Sequence, residues 1–229
     1  MLRFFECAVR RILFAAFAAC ACMATLPSPA MAEWLRAESD RFIVYSSGSE
    51  RELREMVTEL ENFDFVLRFF TGADHNKETF RKLPVYMTNK NGLDTIWVGI
   101  SEQVAGFYTA SDEDIFAVAT REDNFHVLKH EYAHHFMKQE FNFPYPGWYV
   151  EGFAEYYAPT EFTRRGILVG QPNRDRSSAL GWLSWMPLNE LLANRPLANS
   201  RYSDSYYPLA WLLTHWFNGD PQRRTQLNE

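Results

Sequence analysis

The chain has 229 residues and a formal net charge of −6, without a basic stripe, which argues against a nucleic-acid binder. Its hydrophobic content of 47%, aromatic-rich at 16%, is ample for a packed core. The three cysteines, Cys7, Cys20 and Cys22, lie near the N-terminus, so the rest of the chain has neither a disulfide framework nor a thiolate ligand for a metal.

The N-terminus reads as a secretory signal. Arg3, Arg10 and Arg11 form a charged region, 12–26 is apolar but short for a bilayer span, and Ala30-Met31-Ala32 is an A-x-A cleavage site. Cleavage after Ala32 leaves Glu33 as the mature start and a periplasmic or secreted protein; an uncleaved anchor is the alternative. A lipoprotein signal ending at Cys20 or Cys22 lacks the leucine-type residue three places earlier. No other stretch is apolar enough for a membrane helix. Removing 1–32 takes the net charge from −6 to −8, because three Arg and one Glu are lost. Residues 33–229 fit a single domain, with an N-terminal α/β part (33–140) and a helical C-terminal part (141–229).

In chain order, 34–46 reads as extended, with a strand at 41–45. Ser47-Gly48-Ser49 turns into a long helix over 50–70, whose stripe is Leu53, Met56, Val57, Leu60, Phe63, Val66 and Leu67, and whose charges are expected on a solvated face. Thr71-Gly72-Ala73-Asp74 ends it. A short strand follows at 83–87, with Pro84 near its start. Asn91-Gly92 and Gly99 mark turns. Residues 106–110 and 114–119 flank Ser111-Asp112-Glu113 as a β-hairpin.

Residues 125–141 contain neither proline nor glycine and carry a rough 3.6-residue stripe of Phe125, Leu128, Tyr132, His135 and Phe136, so they predict a helix. Asp123 and Asn124 are N-cap candidates, and Thr120 and Asp123 have capping-box spacing. Pro144 and Pro146 stop the helix. A second helix is expected over 148–158, a strand pair within 161–170, and a polar loop over 171–178. Short and long helices are expected over 188–193 and 205–217, the latter with Asp204 as a cap. Gly219-Asp220-Pro221 breaks that helix, and 222–229 reads as the opening of another.

The informative stretch is His130-Glu131-Tyr132-Ala133-His134. Residues i and i+4 share a helix face, so both imidazoles can meet one metal ion, with Glu131 beside them to reach a water: the arrangement of a zinc hydrolase. Zinc needs a third protein ligand, and no histidine stands where the H-E-x-x-H-x-x-G-x-x-H pattern requires one. Sixteen residues separate His134 from Glu151, enough for a turn and a second helix that returns Glu151 to the histidines. Glu155, one turn on, is placed to accept the other ring N–H of a ligand histidine. His135 points about 100° away from His134 and is read as a packed residue. His75, His126 and His215 are read as structural or surface residues, and Trp148 and Trp182 as core.

H-E-Y-A-H followed by W-Y-V-E-G-F-A-E-Y resembles the gluzincin metallopeptidases, in which a glutamate is the third zinc ligand. The second segment is similar to that of the aminopeptidase N family. The short spacing and the doubled His134-His135 resemble the small bacterial exported domains of the peptidase MA-like superfamily. Tyr207-Pro208-Leu209-Ala210-Trp211-Leu212-Leu213-Thr214-His215 resembles their Y-x-x-x-W-x-L-x-H segment. The resemblance covers roughly 42–218 and is specific around 130–157.

It implies an α+β, zincin-like fold: a small mixed or antiparallel sheet on the H-E-x-x-H helix and a mostly helical C-terminal half. It implies Zn2+ on His130, His134 and Glu151, Glu131 as general base, and peptide or protein substrates. Related enzymes stabilise the oxyanion with a tyrosine or histidine from the C-terminal half; Tyr207 is the first choice here, with Tyr206, Tyr202 and His215 as alternatives. The 106–119 hairpin would hold substrate by strand addition, or serve as plain scaffold. Related domains are joined to helical repeats, a candidate partner region beyond this chain. The competing reading is an inactive, zinc-stabilised binding or scaffold domain. An aminopeptidase is disfavoured, because no G-x-M-E-N segment grips a substrate amine.

Overall fold

The computed structural model describes residues 34–77, 81–99, 104–111, 114–120, 125–193 and 202–227. The secretory-signal region, Asp112 and Glu113 of the hairpin turn, and the cap candidates Asp123 and Asn124 lie outside the described residues.

The architecture is mixed α+β. A five-stranded mixed sheet has the order β1-β2-β3-β5-β4, formed by β1 (Leu35–Glu38), β2 (Phe42–Ser46), β3 (Leu83–Thr88), β4 (Gly106–Ala110) and β5 (Ile115–Thr120). The β2–β3 and β3–β5 pairs are parallel; β1–β2 and β4–β5 are antiparallel. Pro84, which has no N–H for a ladder, stands at the second position of the central strand β3, and pairing with β5 begins only at Val85.

Alternation decides the two faces. Phe42 and Val44 of β2, and Leu83, Val85 and Met87 of β3, are buried toward the helices. The opposite face carries an aromatic layer, with Tyr45 stacked on Tyr86 at 5.0 Å and Phe116 edge-on to Tyr86.

Helix α1 (Glu50–Thr71) opens on a capping box: the Ser49 hydroxyl accepts from the Glu52 N–H, and the Glu52 carboxylate accepts from the Ser49 N–H. It ends at Gly72, whose φ of 74° is the left-handed cap that glycine adopts without penalty. Of the expected stripe, every residue but the half-buried Val57 is buried. The expectation of a fully solvated charged face is corrected: Asp64 and Arg68 are buried, because Arg68 Nε donates to Asp64 Oδ2 at 2.8 Å and Arg41 Nε pairs with the same oxygen at 2.8 Å.

Other expectations also change. Asn91-Gly92 lies inside a short helix, α2 (Lys90–Ile96), because the Asn89 side chain caps it by accepting from the Gly92 N–H. The expected polar loop over 171–178 instead runs into a short helix, α5 (Arg174–Ala179). The hairpin appears in register, Gly106 opposite Ala119 through Ala110 opposite Ile115, and β6 (Glu161–Thr163) pairs with β7 (Gly166–Leu168) as a second hairpin.

Two helices carry the candidate site: α3 (His126–Glu140), which packs on β4, β5 and α1, and α4 (Gly147–Tyr157), which lies between α3 and α7 (Ser203–Asn218). The expected polar cap of α3 is corrected. Phe125 occupies the N-cap with φ 64° and offers no side-chain hydrogen bond, so tertiary burial of Leu128, Tyr132 and Phe136 holds the helix. Tyr202 is the N-cap of α7, and Asp204 sits in its first turn. Gly152 makes the α4–α7 crossing close, since a Cβ there would meet Ala210 O at 2.5 Å and Thr214 Oγ1 at 2.2 Å. The short helices α6 (Leu188–Leu192) and α8 (Pro221–Thr225) flank α7, with Asp220 capping α8. Trp148 is core, as expected; Trp182 is not, being 74% exposed in a turn between α5 and α6.

Candidate metal centre

His130 and His134 sit one turn apart on α3 and direct Nε2 to Nε2 at 3.1 Å. The aromatic turn between α3 and α4, stiffened by Pro144 and Pro146, returns the chain so that Glu151 faces them. Glu151 Oε2 lies 3.3 Å from His130 Nε2 and 3.5 Å from His134 Nε2. His130, His134 and Glu151 form a group able to hold a metal ion, with His130 buried and the other two half-buried.

The spacing fits the donor set. A tetrahedral ion with bonds of about 2.0–2.1 Å separates its ligand atoms by about 3.3 Å, and the three edges here are 3.1, 3.3 and 3.5 Å. The electrostatics agree. Burial alone would lower the pKa of His130, but the Glu151 and Glu155 carboxylates beside it outweigh burial and raise it to about 9. Burial would likewise raise Glu151, yet its contacts with His130 and His134 pull it to about 2. The pocket therefore favours positive charge between these groups.

Each remaining site residue can be placed. Glu155 is buried on α4, with Oε1 3.2 Å from His130 Nδ1, the ring nitrogen pointing away from the triangle. Glu131 lines the cleft beside His134 and Glu151. Burial raises its pKa, and the backbone N–H of Tyr108 on β4 donates to its carboxylate. Tyr207 is half-buried on α7, its ring 6.5 Å from that of His130. Tyr206 is buried one residue earlier, its pKa pushed up to about 12 by burial and by the charge of Glu151. His215 is exposed, packed on Trp211 and Tyr156 rather than brought to the triangle. His135 points elsewhere, as the helical angle requires. It is buried, its pKa falls to about 4 through burial and the nearby Lys138, and its Nδ1 lies 3.0 Å from the Tyr108 hydroxyl.

Two features escaped the sequence reading. Tyr108 touches both Glu131 and His135, and only the pairing of β4 against α3 reveals it. The run Phe141-Asn142-Phe143-Pro144-Tyr145 lines the cleft, and its aromatic density immediately after the histidine helix is a signal the sequence did carry.

No protein-family model matches the chain, and no curated protein matches it.

Proposed function

We propose that the protein is an exported zinc-dependent metallopeptidase of gluzincin type, with a zincin-like fold and peptide or protein substrates. One observation carries this reading: two histidine nitrogens and one carboxylate oxygen converge at tetrahedral edge lengths, with the Glu131 carboxylate beside them in the same cleft. His130, His134 and Glu151 would hold the ion. Zinc bound there supplies Lewis acidity, lowering the pKa of water toward neutrality and polarising a carbonyl.

The chain's own groups do the rest. Glu131, held by the Tyr108 N–H and raised by burial, accepts a proton from the attacking water at its carboxylate and delivers it to the leaving amine. Glu155, whose Oε1 lies 3.2 Å from His130 Nδ1, would orient the His130 ring. Tyr207, near His130, is the donor assigned to the oxyanion, with Tyr206 as the alternative. The edge strand β4, running beside α3, is assigned to hold an extended substrate by strand addition.

The test is hydrolysis of a mixed peptide library by wild type and Glu131→Gln, each assayed for zinc. The proposal expects zinc to remain and hydrolysis to fall by about a hundredfold or more. Unchanged hydrolysis with zinc retained overturns the assignment of Glu131.

A further inference from the structure

The cleft that holds Glu131, His134 and Glu151 continues into an apolar hollow that this chemistry does not use. The whole cavity is about 650 Å3, and Met137, Phe141, Phe143, Tyr145 and Val150 line it together with those three residues and Lys138. The wall is anchored in the core. Phe141 packs edge-on against Phe136 at 5.8 Å and Phe153 at 6.2 Å, and Tyr145 contacts Tyr149 at 5.0 Å. Pro144 and Pro146 restrict the backbone on either side of Tyr145. Phe143 packs edge-on against Tyr145 at 5.0 Å, lines the cleft and is 61% exposed.

A preformed apolar hollow continuous with a hydrolytic centre takes a side chain of the substrate. Resting on the peptidase reading, we propose that it is the specificity pocket: the substrate residue flanking the scissile bond is a large apolar or aromatic side chain, seated against Phe143 and Tyr145. Lys138 also lines the cavity, its ammonium over the Tyr108 ring at 5.1 Å, and a lysine or arginine seated against Phe143 and Tyr145 would bury its charge among apolar rings. Phe143 and Tyr145 thus determine specificity without touching the reacting atoms.

The experiment separates this inference from the peptidase reading by measuring binding without turnover. Zinc-loaded Glu131→Gln is titrated with fluorescent peptides that share one sequence and differ at a single position: Phe, Leu, Ala or Lys. The inference expects the Phe and Leu peptides to bind about tenfold or more tighter than Ala, and Lys no tighter than Ala. Adding Phe143→Ala or Tyr145→Ala should remove most of that gain, whereas Phe69→Ala, on an exposed part of α1, should not. Equal binding of all four peptides, or a Phe preference that survives both wall substitutions, overturns the inference, as does failure of every peptide to bind. Cleavage by the wild type is scored in parallel. Apolar-selective binding without cleavage leaves the pocket standing and sinks the peptidase reading; cleavage without apolar preference does the reverse.

Discussion

Helix α3 separates two polar clusters, and their composition differs in kind. Toward α1, Tyr132 donates to Asp64 Oδ1 at 2.6 Å, Asp64 receives Arg41 and Arg68, and Glu140 receives Arg68 at 2.9 Å and Lys77 at 3.0 Å. Two carboxylates there face three cationic side chains. Toward α4, about 200° around the helix from Tyr132, His130 and His134 meet Glu131, Glu151 and Glu155. Three carboxylates there face two imidazoles. The first cluster is closed by its own residues and serves stability. The second is short of positive charge: the Glu151 and Glu155 carboxylates raise the pKa of His130, and on the proposed function a divalent cation would supply there what Arg41, Arg68 and Lys77 supply across the helix.

The comparison breaks most directly at Asp64. Replacing it with alanine leaves the half-buried Arg41 and the buried Arg68 without their shared acceptor and strips the partner from the Tyr132 hydroxyl, so unfolding free energy in urea should fall by about 3–5 kcal/mol. A loss under about 1 kcal/mol would show that the closed cluster does not hold α1 to α3.

The site side should respond to metal rather than to pairing. Free zinc at a thousand times its Kd should stabilise the wild type by about 4 kcal/mol, read as a rise in Tm, and Glu151→Gln should lose most of that rise. Equal rises in both proteins would remove Glu151 from the ligand set.

The smallest effect is expected at Glu140. Burial alone would raise its carboxyl, but hydrogen bonds from Lys77 and Arg68 outweigh burial and hold it below the usual carboxylate range. A group depressed in the folded state contributes stability above its unfolded pKa, about 4.3, and that contribution drains away as pH falls through the lower folded value. Stability followed from pH 7 into that acid range should therefore fall less steeply in Glu140→Gln than in wild type. Identical slopes would mean that the pairing is not felt.

The sequence exposed the site better than the scaffold. Helical spacing places His130 and His134 on one face whatever surrounds them, and the H-E-x-x-H and E-G-x-A-E signals survive any error in strand order. The helix start at Ser47-Gly48-Ser49, the 106–119 hairpin and the α1 stripe were legible for the same reason: their rules are local. What was missed depends on distant partners. Asp64 and Arg68 look like members of a solvated face until Arg41, Tyr132 and Glu140 arrive from elsewhere in the chain. Asn91-Gly92 has turn chemistry, yet Asn89 turns it into a helix start. Phe125 violates capping preference because packing on the sheet, not a cap, holds α3. Trp182 is apolar enough for any core, and only the route of the chain leaves it in solvent. Tyr108 carries no motif at all; its contact with Glu131 exists because β4 pairs at the edge of the sheet beside α3.

The central claim is that α3 and α4 together build a three-ligand metal centre. The direct measurement is metal content by elemental analysis of protein purified without chelator and supplemented with zinc, wild type beside His134→Ala and Glu151→Ala. The account predicts about one zinc per wild-type chain and loss of that zinc in both variants. Wild-type protein that holds no zinc after supplementation, or variants that hold as much as wild type, would contradict it.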